Sequence, residues 1–163
     1  MAITLGLSVI KVGEAATNGT MPNTDSAMTK IGKTYKDTCK ISQEQSEATE
    51  HFEEGESSPE VSFRSPKMPK LTFSIMDPDP AMLAKYVGGK ESGGKWSFSG
   101  KGTVKNCAIY VEPLQGLTFS IPNGSIEATL NGDLSSKGIL LVDFVVTPLA
   151  VENGEPIQAK AKG

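Results

Sequence analysis

Few residues in this sequence are of a type and spacing that could do chemistry. The one histidine, His51, lies in a run, residues 44–60, that holds seven glutamates and neither lysine nor arginine. A Ser-His-Asp relay needs its histidine held rigidly beside a nucleophile, and this histidine sits in what reads as a solvated ribbon. Cys39 and Cys107 lie in strand-like stretches without CxxC or any other metal-ligand spacing. Both read as free thiols of a reducing compartment. Asp77-Pro78-Asp79-Pro80 superficially suggests a calcium loop, but the alternating oxygen ligands and closing bidentate glutamate are missing. The aspartates read as helix caps instead. The glycines of 88–95, "GGKESGGK", have no strand–loop–helix context for a phosphate and read as a flexible connector. No GxSxG or HExxH occurs, and the one GxxxxGK, Gly89 to Lys95, is followed by Trp96 where a phosphate loop needs Ser or Thr, so the reading assigns no catalytic residue, no metal and no cofactor.

The elements that position these residues follow from length and pattern. A chain of 163 residues is expected to form a single domain, 1–163, able to bury about two-thirds of its unfolded surface. A net charge of −3 argues against gripping nucleic acid by bulk attraction. The N-terminal "MAITLGLSVI" has no basic start and breaks its apolar run with small polar residues, so it predicts a strand or arm rather than a signal peptide. Nothing reaches the apolar length of a membrane helix, and no membrane is expected as a partner.

Along the chain, Ile3, Leu5, Leu7 and Val9 alternate before the register shifts at Ile10 and Val12, which predicts an arm or strand over 1–12 with a bulge. Residues 13–30 carry turn-formers without a period and predict a long loop. Alternation resumes at Tyr35, Asp37, Cys39 and Ile41 and runs into the glutamate-rich segment, predicting a protruding acidic hairpin over 35–65. Leu71, Phe73 and Ile75 form a clean strand.

One short helix is sharply framed. Asp77 or Asp79 can accept from the first free amides, and Pro80 suits the first helical position. Met82, Leu83, Tyr86 and Val87 make one apolar stripe, and Gly88 or Gly89 ends the turn in the left-handed conformation. The pattern predicts a helix over about 79–87 laid on a sheet by that stripe.

The remainder reads as strands. Trp96 and Phe98 alternate as if buried, and 103–111 is a further strand. "LTFSIPNGSIEATL" predicts a hairpin turning at Asn123-Gly124, with a second turn signal at Asn131-Gly132. Residues 138–151 are apolar on both faces, Ile139, Leu141 and Val145 against Leu140, Val142, Phe144 and Val146. Such a strand is central in a sandwich or has its second face covered by another chain. The expected fold is mainly β, a β-sandwich or partly closed barrel with one flanking helix. Its core is expected over 68–151 and a C-terminal tail over 152–163.

The arrangement "KLTFSIMDPDPAMLAKYVGGK", then "GKWSF", then strands ending in "LLVDFVVTPLAV" resembles the tail tube (major tail) proteins of long-tailed bacteriophages over residues 68–151. The resemblance implies a β-sandwich or partly closed barrel with one helix on its flank. It also implies hexameric rings that stack into a hollow tube for genome passage, with an inner wall assembled from hairpins of all subunits. Arms, long loops and tails would stitch the rings together, with Ile3, Leu5, Leu7, Leu140, Val142, Phe144 and Val146 as inter-subunit candidates. Partners would be further copies of the chain, with tape measure, tail terminator and baseplate or tip proteins, in a virion tail assembled in the host cytoplasm. DNA would pass without specific binding. Glu44, Glu47, Glu50 and Glu53 are the lumen-facing candidates, since an acidic wall repels phosphates that basic residues would hold.

The same fold serves tubes of contractile injection and secretion machines, which are the alternative. A fimbria-like subunit and a β-sandwich binding module, which would need an exposed aromatic platform, are the remaining rivals.

Overall fold

Period-two alternation becomes one long, curled antiparallel ladder. The computed structural model describes residues 3–163. Its first half contains β1 (Val9–Glu14), β2 (Met28–Lys30), β3 (Lys40–Ser42), β4 (Ala48–Phe52), β5 (Pro59–Arg64) and β6 (Lys70–Ile75). An α-helical turn, α1 (Pro80–Met82), widens into a π-helical turn (Leu83–Val87). Then follow β7 (Lys90–Ser92), β8 (Lys95–Ser97), β9 (Lys105–Glu112), β10 (Leu117–Gly132), β11 (Leu140–Pro148) and β12 (Gln158–Ala161). The main sheet runs β2-β1-β9-β10-β11-β6-β3, with β12 also on β10. The fold is mainly β, as its alternation predicts.

Ile10 and Val12 of β1 share one buried cluster with Leu71 and Phe73 of β6. Strands so far apart in one sheet meet only if the sheet curls. The segment after β2 then spans the gap: the Ile31 amide donates to Ile10 O at 3.1 Å, and the Tyr35 amide donates to Ser74 O at 2.8 Å. This short crossing covers edge carbonyls of both β1 and β6, making a partly closed barrel.

Aromatic rings fill the interior. Phe73 stacks on Phe144 at 5.0 Å between centroids, and Tyr86 meets Phe144 edge-on at 5.3 Å. Tyr86 arrives from the helix, whose cap is as expected: Asp79 Oδ1 accepts from the Met82 amide at 2.7 Å, with Pro80 following it. Tyr86 and Val87 are buried, while Met82 and Leu83 are half-buried against the core. The wide π turn closes with the Gly88 amide donating to Leu83 O at 3.0 Å. Gly88 has φ 120° and ψ 177°, a region open essentially to glycine alone rather than the left-handed helical one. A Cβ there would lie 2.9 Å from Lys101 O.

Several expectations are corrected. Asn123-Gly124 is no hairpin turn, because β10 runs unbroken from Leu117 to Gly132. A two-residue hairpin turn of that type needs positive φ at both central residues, and neither residue has it. Instead β10 bulges against β9 between Ile121 and Gly124. The hairpin to β11 forms later, with the Asp133 amide donating to Ile139 O, beyond Asn131-Gly132, which is still paired. The strand expected from Tyr35 is interrupted at Asp37, whose φ is 63°, leaving β3 from Lys40. The "GGKESGGK" connector is the β7–β8 hairpin, and Trp96 Nε1 donates from it to Gly88 O at 2.7 Å. The long loop is shorter than 13–30, because β1 extends to Glu14 and β2 begins at Met28. The C-terminal 152–163 is no free tail, because β12 pairs with Leu117–Ser120 of β10.

Cap and plug are separable. Asp79→Ala is expected to cost about 1 kcal/mol, Leu83→Ala about 2 kcal/mol and Tyr86→Ala about 3–5 kcal/mol. Urea unfolding checks the ranking, which inverts if the helix is only a surface ornament.

Candidate functional site

Two surface features stand out once the barrel is closed. The first is the β4–β5 ribbon, a two-stranded sheet paired with nothing else. Every residue of both strands is exposed. Its neck is pinned where Gln43 Nε2 donates to Lys67 O at 2.6 Å and Lys67 Nζ meets Glu44 Oε2 at 3.0 Å. The Lys67 hydrogen bond and charge, with Lys70 beyond, hold the Glu44 carboxyl below its ordinary range. Pairing of Thr49 with Phe63 and His51 with Val61 puts those four side chains on one face, because directly opposed residues point the same way. Glu50 opposes Ser62 and points the other way. Exposure is 67% at Phe63, 45% at Val61 and 51% at Phe52. A lone hairpin is marginal in water, and this one exposes aromatic surface as well.

The second feature is a groove of about 880 Å³ at the mouth of the barrel, between the N-terminal segment and the crossing after β2. Leu7, Ile41, Val111, Leu117 and Phe119 supply its apolar lining, with Cys39 among them. Lys30, Lys33 and Lys36 stand on its rim against one carboxylate, Asp37. Sequence reasoning passed over these lysines. Their recurrence at every third position in "KIGKTYK" was the available signal, but only the crossing of the chain from β1 to β6 brings them to one mouth.

The predicted site residues distribute unevenly. Glu44, Glu47, Glu50 and Glu53 are all exposed. Glu44 lies at the neck, Glu47 just before β4, Glu50 within it, and Glu53 opens the turn, where its carbonyl accepts from the Glu56 amide at 3.0 Å. Ile3 and Leu5 are exposed, and Leu7 is half-buried against the core. The inter-subunit assignment of Val142, Phe144 and Val146 is corrected: all three are fully buried in this chain's own core. Parity explains it, since the inward face of β11 meets Phe73, while Leu141, Asp143 and Val145 lie half-buried on its other face. Leu140 is half-buried at the strand's start. Of the arm or strand expected over 1–12, the strand reading holds for the last part, because Ile10 and Val12 belong to β1 and the core. Of the arm's described residues only 3–8 precede that strand, and its first two positions lie outside the described residues. Trp96 is half-buried and stacks on Phe98 at 5.6 Å, with Phe98 46% exposed, so the burial expected for that pair is only partial.

Among the described residues no group of His, Cys, Asp and Glu gathers as a metal site. No protein-family model matches the chain, and no curated protein matches it either.

Cys39 has access to the groove without the reactivity. Burial pushes its thiol from the ordinary 9.0 up to about 11, which makes its thiolate about a hundredfold scarcer at a given lower pH. In a Cys107→Ser background at pH 8, labelling by a disulfide reagent should be about a hundredfold slower in the folded protein than in urea. Equal rates would mean the thiol is solvated.

Proposed function

We propose that the chain is the structural subunit of a phage tail tube, in hexameric rings that stack into a hollow conduit for genome passage. One observation carries this reading: a closed domain projects a two-stranded acidic ribbon that nothing in its own chain covers. A ribbon of that kind gains stability by joining ribbons of neighbouring copies into a continuous wall, which also removes its open edges. Rings arise when head-to-tail contacts close by rotation.

Charge fits a conduit. The ribbon's glutamates set a negative wall that repels duplex phosphates and leaves no counterion-releasing grip. Glu50, opposite Ser62 and so off the aromatic face, is the best placed of the four candidates. Tape measure, terminator and baseplate proteins are the further partners this reading implies, within a virion tail. The tube of a contractile injection or secretion machine would call for the same subunit shape, and the bore and symmetry of the assembly distinguish the two.

Negative-stain microscopy of concentrated protein should show rings or tubes with a central channel. A monomer at every concentration, by light scattering, would end this reading. Removing residues 3–6 should abolish stacking and lower Tm by no more than about 4 °C, on the scale of a kcal/mol in a domain of this size. A loss of folding instead would mean that this segment is structural. Tubes carrying Glu44→Lys, Glu47→Lys and Glu50→Lys should assemble yet eject DNA more slowly, with the delay partly relieved by high salt. Unchanged ejection would place these residues away from the lumen.

A further inference from the structure

We infer that the tip and aromatic face of the β4–β5 ribbon dock into the lysine-rimmed groove of a second copy of this chain. The inference rests on the self-assembly proposed above and names the contact that drives it. Both halves of the contact are present in one molecule. The ribbon offers Phe63 and Val61 side by side on one face, with Phe52 at the start of its tip. The tip itself carries Glu53, Glu54 and Glu56, with no positive charge among them. The groove offers an apolar lining of a size that accepts large side chains, and a rim of Lys30, Lys33 and Lys36.

Each half is otherwise unsatisfied. The exposed ribbon leaves aromatic area in water that burial would recover at about 25 cal/mol per Å². Three lysines crowded on one rim repel one another until carboxylates arrive, and rim charges of opposite sign raise the association rate and set the register. The ribbon does not line the groove of its own chain, and its neck is pinned at Gln43 and Lys67, so a second copy is the occupant. Groove and ribbon are different patches, so the contact is head-to-tail, the kind that closes into rings or propagates as a filament. With Phe63 and Val61 turned into the groove, Glu50 on the opposite face stays free.

Reversed charges test this directly. The groove variant Lys30→Glu, Lys33→Glu, Lys36→Glu and the ribbon variant Glu53→Lys, Glu54→Lys, Glu56→Lys should each assemble at least tenfold more weakly than the native chain. All six positions are exposed, and circular dichroism confirms that the sheet is retained. Mixed together, the two variants should assemble again: the acidic groove of one accepts the basic ribbon of the other, and the basic groove accepts the acidic ribbon. A cross-link reports the contact independently of charge. In a Cys39→Ser background, copies with Phe63→Cys mixed with copies carrying Tyr35→Cys at the groove rim should form mixed disulfide dimers. The yield should exceed tenfold that with the exposed control Leu134→Cys. Native chains that assemble while the reversed variants assemble equally well, with no excess cross-link, would overturn the docking contact and leave the tube reading standing. Native chains that remain monomeric would overturn both.

Discussion

The whole fold depends on one strand refusing to turn. At Pro122-Asn123-Gly124, β10 stays extended, bulges against β9, and passes from the β1–β9 half of the barrel to the β11–β6 half. Gly124 permits this by close approach, since a Cβ there would lie 2.7 Å from Val146 Cγ1. A larger residue would push β11 outward and separate the two halves. The Leu149 amide donates to Asn123 O, and the Ala16 amide to Pro122 O, so the bulge also anchors the chain after β11 and the loop after β1. A bulge bends its strand and increases local twist, and that bend lets Ile10 and Leu71 share one core.

Curling creates needs that the smaller elements meet. The interior is filled by the stack of Phe73 on Phe144, and Tyr86 reaches it because Asp79 and Gly88 frame the helix so tightly. The edges are met by the crossing from Ile31 to Tyr35, whose amides satisfy carbonyls on β1 and β6 at once. That crossing lies over the mouth of the barrel rather than inside it. The groove, and the lysines on its rim, are thus consequences of how the barrel closes.

The acidic ribbon obeys a different logic. It contributes nothing to the core, and its aromatic face costs the monomer exposed apolar area. Natural domains seldom retain such a patch without a partner. The contrast with β11 matters here. The sequence pattern offered β11 as the surface waiting for a neighbour, yet its inward row is consumed internally, and the uncovered apolar surface sits instead on β5.

Local chemistry alone determined the mainly β class, the strand at Leu71–Ile75, the Asp79 cap with Pro80 behind it, the acidic hairpin and the unpaired thiols. Each depends on neighbours within a few residues, where alternation, capping and turn residues act. Tertiary structure decided the rest. Asn123-Gly124 carries the letters of a turn, but close packing against Val146 and pairing on both sides hold it extended. Both faces of β11 are apolar by type, and only the position of Phe73 fixes which one is core. The C-terminal residues look like a tail until β10 offers them an edge. Lys30, Lys33 and Lys36 become a rim only because the chain between β2 and β3 spans from one end of the sheet to the other. Short-range patterns specify elements, whereas the partner of a face or an edge is set by which distant segment arrives there first with matching shape.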